Sequence, residues 1–289
     1  MNEDAVRIAR EALAEDGARD ITSDVCIPAG ARGEARIEFR TGGVVAGCDY
    51  ADAVMTEAGL DPVRWLAREG EVVGAHSVIG EVAGDLKALL RAERPLLNLL
   101  QRATGIATAT RAYVDAVSGT KCRVLHTRKT APGLRGLDIA SVLAGGGTLH
   151  RTDLATTVMV KDNHWAQLRV ASRELREVLS AARRLGASAL FVEVESLEQL
   201  DEACAAGATR LLVDNQSPAT VQVWGTQARR LSPGIEIEAT GGITLANVRA
   251  YADAGADFVS IGALTHSVVA GDVALEVGSG KWEVGSGTE

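Results

Sequence analysis

Cysteine is scarce in this sequence. Cys26, Cys48, Cys122 and Cys204 lie far apart with no pair at CxxC spacing, so neither a zinc site nor a disulfide framework is indicated, and buried free thiols are expected. Aromatic side chains make up only 3% of the chain, and Trp65, Trp165, Trp224 and Trp282 show no pattern of a stacking platform for nucleobases. No apolar run approaches the roughly 18 residues a membrane span needs. The opening segment MNEDAVRIAREALAEDG carries acids early and has no apolar h-region, which is what a cytoplasmic protein shows. The chain also lacks a basic excess: its formal net charge is −8, the wrong sign for a surface that neutralises phosphates along a nucleic acid. Neither nucleic acid nor membrane is therefore expected as a partner.

What is present is an ordinary balance of 46% hydrophobic and 24% charged residues over 289 positions, enough for one large domain or two modest ones. Apolar positions from Ala5 to Leu13 fall at helical spacing after the candidate cap Asn2, and Gly17 is a natural stop. ARIEFR (35–40) alternates apolar and charged residues, and VVAG (44–47) follows the turn Gly42-Gly43, so the two read as antiparallel strands. A Gly-punctuated strand region follows at 69–85, then an apolar, Ala-rich stretch from Leu86 to about Val117 predicts a long helix bridging two domains.

From residue 122 the style changes. CRVLH (122–126), TVMVK (157–161), ALFVEVE (189–195), RLLVD (210–214), IEIEA (235–239) and FVSIG (258–262) are short apolar runs separated by helical patterns. Such alternation predicts parallel βαβ units. Polar residues gather at the C-terminal end of each run, as at the catalytic face of a (β/α) barrel; an open doubly wound sheet shares that polarity and is the alternative. Six runs where a full barrel has eight leave two readings, an incomplete barrel or further strands that the pattern does not reveal. The expected organisation is an N-terminal α+β open-sheet domain with the bridging helix (1–108), an incomplete α/β barrel (109–271), and a C-terminal strand at 272–277 with a disordered Gly/Ser tail that repeats EVGSG (272–289).

Against the acidic background, Arg123, Arg128, Lys129, Arg135, Arg151 and Lys161, interleaved with His126, His150 and His164, form a local basic cluster among Thr, Pro and Gly. Loops rather than amphipathic helix faces are expected there, which suits a small anionic ligand. The blocks ERPLLNLLQRATGIAT (93–108), TRKTAPGLR (127–135), GGGTLHRTDL (145–154), VKDNH (160–164), EVE (193–195), VDN (213–215), EATGGI (238–243) and SIGALTHS (260–267) closely resemble, in this order, the quinolinate phosphoribosyltransferases, or carboxylating nicotinate-nucleotide pyrophosphorylases. The resemblance runs over essentially residues 5–277.

That resemblance implies transfer of phosphoribosyl from phosphoribosyl pyrophosphate to quinolinate with decarboxylation, and a homodimer or multiple of dimers with shared active sites. It places Arg128, Lys129, His150, Arg151 and Lys161 around the two carboxylates of quinolinate, with Arg94 reaching in from the partner subunit. It assigns Glu195 and Asp214 to the ribose hydroxyls and magnesium of the donor, and the backbone at Gly241, Gly242 and Gly262 to its 5-phosphate. Lys129, Glu195 and Asp214 are the candidate catalytic residues. Glu193 ranks behind Glu195, because the two share a strand face and the later one is nearer the strand end. The sequence departs from the family's usual residues at Ile139 (often Lys), His126 (often Asp) and Leu149 (often Asn), positions that bear on substrate orientation.

The residue types suit that chemistry. A dianion is best fixed by directed cationic donors, arginine as a planar fork and lysine as a point charge. The pyridine nitrogen has its own lone pair, so displacement needs no general base but does need leaving-group stabilisation by magnesium. Two other readings stay open: a related pyrophosphorylase acting on a different aromatic or heterocyclic acid, and a non-catalytic sensor of pyridine nucleotides or phosphoribosyl pyrophosphate. TRKTAPGLR and KDNH favour quinolinate over the first, and retention of Glu195 and Asp214 speaks against the second.

Overall fold

The computed structural model describes residues 2–278. In chain order it runs α1 (Glu3–Glu15), α2 (Ile21–Cys26), β1 (Arg32–Phe39), β2 (Gly43–Val44), α3 (Cys48–Glu57), β3 (Arg64–Trp65), β4 (Val72–Val73), β5 (Ser77–Asp85) and the long α4 (Leu86–Ala116). Then follow β6 (Arg123–Leu125), α5 (Arg135–Ala144), β7 (Thr157–Val160), α6 (Asp162–Val170), α7 (Leu175–Arg184), β8 (Ala189–Val194), α8 (Leu197–Ala206), β9 (Arg210–Asp214), α9 (Pro218–Leu231), β10 (Glu236–Thr240), α10 (Val248–Asp253), β11 (Phe258–Ser260), α11 (Ala263–His266) and β12 (Val273–Val277). Two compact units result. The first takes residues up to Arg111, 130–146 and from Leu264 onward, and the second takes 112–129 and 147–263.

In the first unit, the Asn2 side chain accepts from the Asp4 N–H and caps α1, and Gly17 ends the segment with φ +81°. β1 buries Ala35, Ile37 and Phe39 and turns Arg36 outward, the period-2 pattern of a half-covered sheet. Its partners are distant in sequence. The sheet order is β12-β1-β5-β3, with β1 antiparallel to both β5 and β12. The pairing of ARIEFR with VVAG is thus corrected: β2 pairs with β4 instead. Gly42 and Gly43 both take positive φ and carry the chain away from β1 rather than folding it back.

The second unit holds all six predicted C-terminal strands in one parallel sheet, ordered β6-β11-β10-β9-β8-β7. From β7 to β11 each connection steps to the adjacent strand in one direction. Right-handed crossovers of that kind place every helix on one face and curl the sheet. A doubly wound sheet would reverse direction at a switch point, and this one does not. β6, first in the unit, pairs with β11, last, so the barrel is open between β6 and β7, the incomplete (β/α) barrel expected. Strands buried on both faces, such as β8 and β9, are what parallel packing requires.

Cysteine burial is only half as expected. Cys122 and Cys204 are buried, Cys48 is half-buried, and Cys26, at the end of the short α2, is exposed. Burial pushes the Cys122 thiol up to about 12 and that of Cys204 to about 11. The repeated Gly/Ser tail lies outside the described residues from 279 on.

Gly105, in the middle of α4, is where the helix meets residues 269–271. A Cβ there would press on the Val269 carbonyl oxygen and lie 3.0 Å from the Ala270 Cα. Helix propensity alone favours Gly105→Ala by up to about 1 kcal/mol. Because the obstruction is backbone, the expected outcome is the opposite, a loss of about 1–3 kcal/mol in urea unfolding.

Candidate active site

The second unit concentrates charge at the C-terminal ends of its strands. After β6, His126 is fully buried, and the Lys129 N–H bonds to the Thr127 hydroxyl at 3.1 Å in a tight turn. Thr148 lies alongside this strand: it bridges Leu125, and its N–H reaches the Val124 carbonyl at 2.7 Å. That short pairing carries His150 and Arg151 to the same end. The Arg128 Nε is buried and has no hydrogen-bond partner among the described residues. Burial, and next the charge of Arg128, lower the Arg151 pKa; Glu238 and Asp153 oppose this. Two guanidiniums therefore act on each other while one of them keeps a buried donor without a partner, an arrangement an anion would relieve.

Lys161 ends β7 and opens α6, where its N–H is received by His164 Nδ1 at 3.1 Å. Its ammonium reaches Glu193 Oε2 at 2.7 Å. Glu193 is buried on β8, and its carbonyl accepts from Trp165 Nε1 at 2.8 Å. Glu195 lies one residue beyond the end of β8, exposed, its N–H bonded to Gln199 Oε1 at 2.7 Å. Strand alternation puts both glutamates on one face, but the earlier one touches the basic cluster, a contact hidden from spacing alone.

Asp214 ends β9 and accepts from Asn215 Nδ2 at 2.7 Å. Burial first, then the charges of Glu193 and Glu195, raise its carboxyl above the ordinary aspartate range, with Lys161 pulling the other way. Asn215 has φ +53°, and its N–H bonds to the Thr240 carbonyl at 2.9 Å. Gly241, with φ +80°, sits so close that a Cβ would collide with the Asn215 side chain and lie 3.0 Å from its backbone nitrogen. Gly242 follows at φ +61°, and its carbonyl accepts from Asn247 Nδ2 at 3.0 Å. Gly262 follows β11, the strand beside β10. The second unit thus brings together Arg128, Lys129, His150, Arg151, Lys161, Glu195, Asp214, Gly241, Gly242 and Gly262 at strand ends. Arg94 belongs to the first unit, exposed on α4.

Sequence spacing missed a buried layer under these residues. Glu238, 1% exposed, bonds through Oε2 to His150 Nε2 at 3.2 Å and to Arg210 Nη1 at 3.1 Å. Glu236 and Glu238 at alternate positions of an apolar run were the available signal, because two carboxylates on one face of a barrel strand need partners. Asp138, by contrast, behaves as an orienting acid. In the first unit it accepts two bonds from Arg102 at 2.7 Å and one from the Ala131 N–H at 3.1 Å, pinning the segment that follows Thr130. Among the described residues no cluster of three His, Cys, Asp or Glu side chains is arranged to hold a metal ion.

Comparison with known proteins agrees in every direction. Residues 106–276 match the model described as quinolinate phosphoribosyl transferase, C-terminal domain, and residues 20–104 match the N-terminal domain of the same name. The chain is 41% identical over 278 residues to a carboxylating nicotinate-nucleotide pyrophosphorylase of Mycobacterium leprae, an alignment covering 93% of this chain and 95% of that protein. It is 37% identical over 248 residues to the human protein so named, with 84% and 82% covered. The solved structure of the nicotinate-nucleotide pyrophosphorylase from Francisella tularensis superposes with a TM-score of 0.86 at 32% identity, covering 96% of this chain and 97% of that one.

The raised Asp214 carboxyl sets a stability test. Its ionised form is disfavoured by the fold, so it lowers stability above its folded-state pKa and has no effect below the unfolded value of about 3.9, where both states are protonated. Asp214→Asn should accordingly stabilise the ligand-free protein at neutral pH, with the gain shrinking to nothing as pH falls to about 3.9. Denaturant midpoints across that range check it.

Proposed function

The chain belongs to the quinolinate phosphoribosyl transferase family, and from that premise we propose that it joins quinolinate to phosphoribosyl pyrophosphate, releasing pyrophosphate and carbon dioxide and yielding nicotinate mononucleotide for NAD biosynthesis. It is a phosphoribosyltransferase enzyme. The observation that carries the choice of acceptor is the pair of guanidiniums at Arg128 and Arg151, close enough for one to lower the pKa of the other and including a buried donor without a partner. One carboxylate leaves such a set under-neutralised, whereas a dianion with two coplanar carboxylates satisfies it.

In this reading Arg128, Lys129, His150, Arg151 and Lys161 fix the acid with its ring nitrogen toward the anomeric carbon. The nitrogen lone pair forms the new C–N bond while the anomeric C–O bond breaks and its electrons leave with pyrophosphate. Quaternisation makes the ring an electron sink. The adjacent carboxylate then departs as carbon dioxide, and the ring carbon that keeps the electron pair takes a proton. Desolvation of that carboxylate by the pocket favours its loss.

The donor arrives as its magnesium complex, and Glu195 and Asp214 face it. Two carboxylates are as many as magnesium commonly takes from protein when phosphates and waters fill its other positions. The raised Asp214 carboxyl, pressed by two like charges, is relieved when a cation is close. Glu195 and Asp214 would hold the magnesium of the donor, which would supply positive charge to offset that of the departing pyrophosphate. The positive-φ turn at Gly241 and Gly242, together with Gly262, offers backbone N–H groups to the 5-phosphate. The enzyme is cytoplasmic, and among the described residues no helix is long and apolar enough to cross a membrane. It acts as a homodimer, or a multiple of dimers, with Arg94 supplied by the partner subunit.

The direct test is incubation with quinolinate, phosphoribosyl pyrophosphate and magnesium, followed by mass detection of nicotinate mononucleotide. Product should form only when all three are present, and nicotinate should be a poor acceptor, because the missing carboxylate leaves cations unpaired at a cost of several kcal/mol. Equal use of the two acids would overturn the dianion pocket. The two halves of the site separate by calorimetry without donor: Lys129→Ala should weaken quinolinate binding, and Asp214→Ala should spare it while impairing donor use.

Sharing of the site has its own signature. Arg94→Ala and Lys129→Ala should each be nearly inactive alone. Mixed after subunit exchange, they should recover about a quarter of wild-type activity, since half the dimers are mixed and one of their two sites is intact. No recovery after confirmed exchange would place Arg94 in its own subunit's site or outside any site.

A further inference from the structure

Below the cationic mouth, the second unit buries a chain of ionic contacts. Arg210 sits at the start of β9, with its side chain 10% exposed. Its Nε and Nη2 reach Glu236 Oε2 at 2.9 and 2.7 Å, and its Nη1 reaches Glu238 Oε2 at 3.1 Å. The guanidinium is also clamped between two rings, 4.4 Å from the Phe191 centroid and 3.9 Å from that of Phe258. Cation–π contact on both faces leaves it little freedom. Phe191 touches His150 as well, with centroids 5.6 Å apart.

Glu238 links the two cations. Burial pushes its carboxyl up, but the hydrogen bond and charge of His150, then Arg210 and the Ser260 hydroxyl, outweigh it, so the net displacement is downward and the group is ionised. An ionised carboxylate only accepts, so the His150 Nε2 it contacts must carry the hydrogen. Among the described residues this is His150's one hydrogen bond, and Nδ1 is the ring nitrogen left to meet a ligand. Left alone, the buried Glu238 would turn an uncompensated negative charge toward the mouth. Arg210 supplies the compensating positive charge; its other partner, Glu236, has a 42% exposed side chain and is screened by water, whereas Glu238 faces the guanidinium buried.

We propose that Arg210 is a positioning residue of the acid-binding pocket: held by Phe191 and Phe258, it fixes and offsets Glu238, so that Glu238 orients His150 without presenting an uncompensated negative charge to the carboxylates of the substrate. The proposal rests on the assignment of His150 to the quinolinate pocket. A packing-only ion pair is the competing account, because buried pairs are often replaceable by apolar residues without loss of stability.

The test compares Arg210→Met, Arg210→Lys and the double variant Arg210→Met/Glu238→Gln with wild type. Arg210→Met leaves the buried Glu238 uncompensated beneath a pocket for a dianion, so the KM for quinolinate should rise about tenfold or more, with the KM for phosphoribosyl pyrophosphate unchanged. Arg210→Lys should recover part of the loss. The double variant should recover most of it, because glutamine still accepts from Nε2–H and brings no charge. An unchanged quinolinate KM in Arg210→Met, or a double variant no better than the single one, overturns the proposal. If Arg210→Met fails to fold, Arg210→Lys and the double variant still decide it by the same KM comparison. A readout free of substrate keeps this apart from the functional reading: the ring 15N resonances of His150, assigned with His150→Gln, should move in Arg210→Met and return in the double variant. If wild type ignored quinolinate, the functional reading would fall while these resonances still decide the role of Arg210; resonances unmoved by Arg210→Met overturn it.

Discussion

Burying cations is unfavourable unless something compensates them, and the partly buried Arg128 and Arg151 are the constraint around which these strand ends are arranged. Arg128 lies three residues beyond the end of β6, and Arg151 is carried to the same end by the pairing of Thr148 with Leu125. The cost of desolvating them is met by the apolar residues of the parallel sheet. Toward β8 and β9 acids dominate: burial first, then the charges of Glu193 and Glu195, raise the Asp214 carboxyl against the pull of Lys161. A ligand that brings negative charge to the first side and positive charge to the second relieves both, which is what a dicarboxylic acid and a magnesium-bound pyrophosphate do. Binding energy is thereby concentrated on complementary charge, and residues that look destabilising in isolation make sense together.

Isolating those charges requires a floor, and the floor is polar. Most barrel interiors are filled with branched apolar side chains. This one carries Glu193, Glu238 and Arg210 among its buried residues, with Phe191 and Phe258 as stacking partners. Glu193 pairs with Lys161 and Glu238 with His150 and Arg210, so neither buried carboxylate lacks a cationic partner, although Glu238 Oε1 is buried with no hydrogen bond among the described residues. His126, buried edge-on to His150 at 6.3 Å between centroids, stands where the family often has aspartate. The acid that would lie beside His150 is therefore replaced by a second imidazole, and Glu238 is the carboxylate that contacts the ring.

Much of this was legible in the sequence because it is local. The Asn2 cap, the long helix from Leu86 and the six apolar runs depend on residues within a few positions of each other, and they appear as read. The pairing of β1 was not legible. Its partners are residues 77–85 and 273–277, and nothing in ARIEFR names a strand more than 200 residues away; the nearby Gly42-Gly43 offered a hairpin that its own backbone angles defeat. Glu193 and Glu195 show the same limit at smaller scale. Alternation assigns them one face, but which reaches Lys161 depends on where β8 stops, at Val194. Arg210 carried no motif at all, and its role emerges only where β8, β9, β10 and β11 lie side by side.

The placement of β12 on β1 bears on how the protein is made. Until residues 273–277 leave the ribosome, β1 has β5 on one side and an open row of backbone donors and acceptors on the other. At about 5–20 residues per second, that edge waits on the order of tens of seconds for its last neighbour. During that interval the nascent chain carries an unsatisfied strand bearing Ile37 and Phe39, a template for pairing with any extended segment nearby. Completion of the first sheet thus waits until β12 is made, and the quality of the newly made protein rests on what shields one strand in the interval.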